Sequence, residues 1–489
     1  MIADYVQLTT TTVLFIIIPL LYLIYYRKFR YFIFDQRTKV TKGKTSRGKC
    51  PPSFPNGWFW IINSCDLKPG HTKAISYCGR NLVLFRGTNG TPYVLDAFCA
   101  HMGAHLGFGG KVCHSTCIEC PFHGWTFDGE TGDCVLSGVE NKIIRMADKY
   151  EYHDIENCTP VPNNDNTTNI YLNKVSEKEE IRLKRYICRE INGSILVWYH
   201  SDEKLREHPL YEPFDLSNEL KMNKMQPRGE SINYVNCHIQ EIPENGADNR
   251  HFDFLHQSII DIIFPFLKFH WTMISERATN PRLSEIMVHP HPEVNAYKMR
   301  LLDTFINDSN RRFLNVLSLN CYIQIFSKHK IFIFNATGFQ MGPSLVYLFL
   351  WSPYFQVTFF QTVTPLEKFN QRVMHRIFST KPIPYWLSTL MLMGEVKQLF
   401  SDMNIWNNKI FGAKLSYNMK NDADKGLHSW RNWYTQFYEG CHEHESKSLL
   451  CRSLAYPPPQ LFSLSSKLSI CLTSLLPIDI RCSSVHSFE

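Results

Sequence analysis

Between Cys99 and Trp125 the chain reads CAHMGAHLGFGGKVCHSTCIECPFHGW, four cysteines and four histidines in one glycine-rich stretch. Thiols and imidazoles at such spacing are metal donors, and two donor sets compete. Cys99-x-His101 with Cys120-x-x-His123 sets two thiolates and two imidazoles on a pair of loops. That is the donor set of a Rieske [2Fe–2S] centre, where two histidines replace two cysteines on one iron and raise the potential. Cys113, Cys117, Cys120 and His123 would instead suit a single tetrahedral Zn²⁺. Ligand type alone leaves both open. The surroundings separate them, because the halves read C-x-H-x-G-A-x-L-G and C-P-x-H-G-W. Glycine follows each Cys/His pair, permits a turn at positive φ and lets backbone amides approach the cluster sulfurs. A zinc ribbon has no need of that symmetry. The cluster reading leaves His105, His114, Cys113 and Cys117 as structural or loop residues.

Further along, ENGADNRHFDFLHQ contains Asp248-x-x-His251-x4-His256. Two histidines and a remote carboxylate, with open positions opposite, form the facial triad of non-haem Fe(II) oxygenases. Asp248 and His251 share a helix face. His256 stands about 140° round the helix from His251 at 3.6 residues per turn, so the helix must distort or end there. The bland alternative is a polar helix face with two histidines near acids.

The cluster segment, with the run Phe127-Asp128-Gly129-Glu130-Thr131-Gly132 after it, resembles the Rieske domain of ring-hydroxylating and sterol-modifying oxygenases. The Asp248 motif follows by a little over a hundred residues, in the order and spacing of that family. The resemblance implies that His251 and His256 hold a mononuclear iron. It makes Asp248 a bridge that hydrogen-bonds a cluster histidine of a neighbouring subunit, an arrangement compatible with a homotrimer. It also implies a third iron ligand far downstream. There LFSDMNIWNNKIF resembles the family's F-x-D-x-x-I-W segment, which selects Asp402 and leaves Glu395 as the nearest competitor. Asp253, Glu244 and Glu241 are then groups on the helix surface or behind the ligands.

Together with an apolar N-terminus and HSWRNWYTQFY at His428 to Tyr438, the chain resembles the Neverland-type cholesterol 7-desaturases of animals over roughly residues 1 to 440. That resemblance implies O₂-dependent conversion of cholesterol to 7-dehydrocholesterol, by removal of hydrogen from C7 and C8, in steroid hormone synthesis. A Rieske monooxygenase hydroxylating a steroid or another hydrophobic ring is the runner-up. A membrane-anchored electron carrier and a zinc-binding interaction module are the readings from other classes. No G-x-G-x-x-G opens a helix after a strand, and GFGG at Gly107 to Gly110 belongs to the cluster loop. NAD(P)H is therefore expected to act through a separate reductase.

These residues need elements to carry them. Val6 to Tyr26 has no charge, and twenty-one residues suffice to cross a bilayer core of about 30 Å as a helix. Asp4 lies in front and Arg27, Lys28 and Arg30 behind, the reverse of a signal peptide. A retained single-pass anchor is expected, in the endoplasmic reticulum with the catalytic body cytosolic. Nine Lys/Arg against one acid between Arg27 and Lys49 place the formal charge of +7 beside that membrane, which argues against a nucleic-acid partner. A chain of 489 residues exceeds one core. The expected organisation is an anchor over 1–30, a basic linker over 31–55 and an antiparallel β Rieske domain over 56–203, with GSILVWYH its last strand. An α+β, helix-grip-like iron domain over 204–440 and a poorly ordered Ser/Leu-rich tail over 441–489 complete it. Within the iron domain SINYVNCHIQEIPENGADNRHFDFLHQ reads as helix, VYLFLWSP and YFQVTFFQTVTP as strands, and PYWLSTLMLMGEVKQLFSDMNIWNNKIF as helix. Residues 346–360 could line an apolar pocket or fill a core equally well.

Overall fold

A computed structural model describes residues 31–35, 50–137, 181–255, 267–325, 329–353, 355–409 and 417–441. The expected anchor, most of the basic linker, His256 and the tail from 442 lie outside the described residues, as does the side chain of Asp253. By contact the chain forms two units. Of the described residues, the smaller comprises those within 62–76 and 80–188, and the larger those up to 61, 77–79 and from 189 on. Strand Ser194–Tyr199 exists as expected and pairs in a three-stranded sheet with Cys188–Ile191 and Gly57–Asn63, but it groups by contact with the larger unit.

The smaller unit is built from short antiparallel strands. Thr72–Tyr77, Arg80–Arg86 and Pro92–Asp96 make one sheet; Lys111–Cys113, Cys117–Glu119, Thr126–Asp128 and Cys134–Leu136 make another. Alternating residues pack inward, so that Val83, Phe85, Leu95, Leu106, Ile118 and Phe127 share one core with Cys99 and Cys120. Asp128 organises the turn behind that core: its carboxylate accepts from Thr116 Oγ1 at 2.7 Å and from the Thr131 amide at 3.2 Å. Gly132 closes the turn at φ +84°, where a Cβ would meet the Leu183 carbonyl oxygen at 2.1 Å. Only glycine fits both constraints.

In the larger unit an eight-stranded sheet runs in the order Tyr31–Asp35, Met225–Val235, Asn370–Thr380, Phe355–Glu367, Leu345–Ser352, His329–Met341, Leu314–Ile325, Leu267–Arg277. The first pair is parallel and the paired neighbours after it are antiparallel. SINYV therefore belongs to a strand and not to the expected helix. Its buried positions include Ser231 and Asn233, so the period-two signal is carried by polar residues and is invisible to an apolar pattern. Two short helices, Glu241–Glu244 and Asn249–Leu255, follow it.

The two faces of this sheet have different fates. Along Leu345–Ser352, Tyr347 and Phe349 are fully buried while Val346, Leu348 and Leu350 are not. Phe349 and Phe339 pack against Phe305 of the helix Pro292–Phe305, with centroids 5.3 and 5.5 Å apart. The opposite face looks toward the long helix Tyr385–Trp406, which packs on Met225–Val235 and Asn370–Thr380. A sheet holding a long helix against one face is the α+β architecture expected. Glu230 and Arg376, both buried, form an ion pair at 2.9 Å across these two strands, and Arg376 also donates to Ser194 Oγ at 2.9 Å. Among the described residues no helix is long and apolar enough to cross a membrane.

Candidate active site

The two Cys/His loops repeat one another bond for bond. The Cys99 amide donates to the Ala104 carbonyl at 2.9 Å and the Cys120 amide to the Trp125 carbonyl at 2.7 Å. The Cys99 carbonyl accepts from Gly103 at 2.9 Å and the Cys120 carbonyl from Gly124 at 3.1 Å, with φ +70° and +71° at the two glycines. Both thiols are buried, and they lie within hydrogen-bond reach of each other. Burial, with Cys120 beside it, pushes the Cys99 thiol above the ordinary range; a bound metal would remove that proton outright. His101 and His123 lie nearer the surface, their ring centroids 4.7 Å apart. Trp125, the last residue of the C-P-x-H-G-W run, stacks flat on His101 at 4.8 Å, which fixes that ring. Two adjacent buried thiols and two adjacent outward imidazoles are the donor grouping a two-iron cluster needs.

The rival zinc set is arranged differently. Cys113 and Cys117 are cross-strand partners in a hairpin whose turn residues His114 and Ser115 have φ +46° and +64°. The Cys117 thiol lies 3.8 Å from both Thr116 Oγ1 and Asp128 Oδ1, and burial pushes the Cys113 thiol up to about 11. Among the described residues no three Cys, His, Asp or Glu side chains converge on one ion. His105 accepts from the Gly107 amide at 3.0 Å, a structural use of its ring.

In the larger unit Asp248 begins the helix Asn249–Leu255. Its Oδ1 accepts from the amides of Arg250 at 3.1 Å and His251 at 3.3 Å, an N-cap. The His251 Nδ1–H donates to the Asp248 carbonyl. That bond assigns the lone pair to Nε2, the arrangement by which proteins orient a metal-binding imidazole. His251 and Asp402 line one cavity of about 670 Å³, although about 150 residues separate them in sequence. Asp402 is buried on the long helix. Glu395, the competitor, lines the same cavity two turns earlier on that helix. The cavity wall opposite is chiefly apolar, with Leu317, Leu319, Ala336, Leu348, Leu350 and Phe359 among its residues. A cavity that brings His251 and Asp402 together against an apolar wall is compatible with a mononuclear iron; the second histidine expected from the sequence, His256, falls outside the described residues.

Two carboxylates expected on the helix surface or behind the ligands are buried and ion-paired. Glu244 takes two guanidinium bonds from Arg431, one at 2.9 Å, and Glu241 pairs with Lys409 at 3.4 Å. The pairing of Glu244 with Arg431 of the helix Asp422–Tyr434 could not be read from the motif. Sequence reasoning also missed His375 and Gln361, which line the cavity from adjacent strands.

Fold and donor sets together define an oxygenase of the Rieske type, and comparison with known proteins agrees. Residues 57–145 match the Rieske [2Fe-2S] domain family and residues 197–438 the 3-ketosteroid 9alpha-hydroxylase C-terminal domain family. The chain is 31% identical to the cholesterol 7-desaturase nvd 1 of Ciona intestinalis, covering 79% of this chain and 69% of that one. It is also 31% identical to the cholesterol 7-desaturase nvd of Drosophila melanogaster, covering 79% and 76%. A Pseudomonas putida CBB5 NdmA structure with caffeine shares the fold at a TM-score of 0.50 and 14% identity, over 78% of this chain and 90% of that one. The chain belongs to the Neverland-type cholesterol 7-desaturase family of Rieske oxygenases.

Proposed function

We propose that this protein desaturates cholesterol between C7 and C8, taking up O₂, two electrons and two protons and releasing 7-dehydrocholesterol and two waters. The observation that carries the reading is the single apolar cavity lined by both His251 and Asp402. Its volume of about 670 Å³ lies inside the range of about 300–1,000 Å³ used for small-molecule sites. Cys99, His101, Cys120 and His123 hold the cluster; His251, His256 and Asp402 hold the iron. When bound, the two groups supply stored electrons and O₂ activation. The chain's own part is to keep the cavity dry, to fix the His251 tautomer through the Asp248 carbonyl, and to hold a rigid apolar ring system beside the iron ligands.

Electrons reach the cluster from NAD(P)H through a separate reductase. Asp248 uses one carboxylate oxygen for its helix cap and keeps the second for a cluster histidine of the neighbouring subunit. Exposed Met102 and Phe122 beside the two imidazole loops support such docking and a homotrimer. Residues 6–26 tether the enzyme, its body in the cytosol, to the endoplasmic reticulum membrane, the bilayer in which a sterol almost insoluble in water is concentrated. Hydroxylation is a second reading, favoured by the 3-ketosteroid 9alpha-hydroxylase match. Cholesterol deuterated at C7 and C8, turned over under ¹⁸O₂ with a surrogate reductase, separates them. Loss of one label from each carbon supports desaturation, whereas a product carrying one ¹⁸O makes the protein a hydroxylase.

A further inference from the structure

The cavity wall has an apolar majority interrupted by polar side chains, several of which are satisfied inside the protein. Asn315 donates to Ser275 Oγ at 2.7 Å, and the Gln340 carbonyl accepts from Trp430 Nε1 at 2.8 Å. His375 differs. Its side chain lines the cavity, the residue is 6% exposed, and Nδ1 is buried without a hydrogen-bond partner. Gln361 stands directly opposite it in the antiparallel register, and Gln361 Nε2 donates to Glu395 Oε2 at 3.4 Å. A buried polar group without a partner is rare in native proteins and points to a missing one.

We propose that His375, with Gln361 beside it, anchors the hydroxyl group of the substrate and thereby sets which carbon faces the iron ligands. This assignment rests on the sterol reading above. A neutral imidazole offers one donor and one acceptor, and a hydroxyl offers the same two, so the pair is chemically matched. Burial holds the His375 ring in that neutral form. Position agrees as well. Glu395, in contact with Gln361, precedes Asp402 by seven residues on one helix, two turns and about 10.5 Å along the axis at 1.5 Å per residue. A rigid sterol held by its ring-A hydroxyl at this end extends its B ring toward Asp402 and His251. An apolar cavity by itself would leave the ring system free to slide.

The test compares cholesterol with 5-cholestene, the analogue with hydrogen in place of the hydroxyl, on the metal-loaded full-length enzyme, with sterols delivered in cyclodextrin. The wild type should favour cholesterol in kcat/KM on the order of tenfold to a hundredfold, the range expected when a buried polar group loses its partner. In His375→Phe that preference should collapse toward one while 5-cholestene turnover persists. His375→Gln should restore part of it, which a purely structural role would not produce. If His375→Phe does not fold, Gln361→Met carries the same comparison with the native imidazole in place. An unchanged preference in the folded variants overturns the assignment while leaving the sterol reading intact. A wild type that turns over neither sterol overturns the sterol reading and this assignment with it.

Discussion

Asp248 performs two tasks with separable atoms. Its Oδ1 caps a helix and its carbonyl orients His251, so replacement of the side chain by an amide leaves both structural functions in place. Asp248→Asn should therefore change helix stability by only a few tenths of a kcal/mol. On the proposed bridging role, turnover should fall on the order of 100-fold, since a charged acceptor becomes neutral. Metal analysis showing both metals retained alongside that loss is the check; full turnover would refute the bridge. At the cluster, Cys99→Ala should abolish the Rieske EPR signal and Cys113→Ala should keep it. The reason is local: the Cys99 loop matches the Cys120 loop in each backbone bond, while Cys113 belongs to a hairpin with Cys117.

Turns and helices in this chain depend on where glycine is required and where it is incidental. Gly342 lies at φ +62°, and a Cβ there would stand 1.7 Å from the Tyr211 hydroxyl oxygen. Gly342→Ala should cost about 2 kcal/mol or more, from left-handed backbone strain plus displaced packing. Gly394 sits inside the long helix with nothing within 4 Å of a Cβ. Gly394→Ala should stabilise by about 0.5–1 kcal/mol, because glycine is a poor helix former. Chemical denaturation of the two variants against wild type should give opposite signs. The same substitution is thus decided by the element that receives it.

Acid stability and membrane attachment belong to the whole molecule. His238 is fully buried, accepts from the Gln240 amide through Nδ1, and donates to the carbonyls of Pro51 and Pro52 at 3.2 and 3.3 Å. Burial pushes its pKa down to about 4. The unfolded chain, near 6.5, therefore takes up the proton first as pH falls. Stability is full above about pH 6.5 and declines toward pH 4, by about 3 kcal/mol from this group. Urea titrations at pH 7 and pH 4.5 should show His238→Asn less stable at pH 7 but with a shallower acid loss than wild type. An equal acid loss in both would exclude His238 as a cause. Deleting residues 1–30 should release the protein from carbonate-washed microsomes with its cluster spectrum unchanged. Continued sedimentation would rule out a single N-terminal anchor.

Sequence by itself determined the cluster loops, because donors and turn glycines lie within a few residues of each other and the chemistry is local. Cys99, His101, Cys120 and His123 could be named from spacing, and the paired Gly103 and Gly124 turns follow from the same repeat. It also marked Asp402 and its competitor Glu395, but only by resemblance, since nothing local ties a carboxylate to a histidine about 150 residues away. Tertiary structure decided that both carboxylates face one cavity and that Glu241 and Glu244 are buried in ion pairs instead. It also resolved residues 346–360, for which pocket and core were equal readings. Val346, Leu348 and Leu350 line the cavity while Tyr347 and Phe349 fill the opposite core. Both faces of that strand are apolar, so composition carries no sign of which side is empty. Only the helices laid on the two faces of the sheet distinguish a packed side from a hollow one.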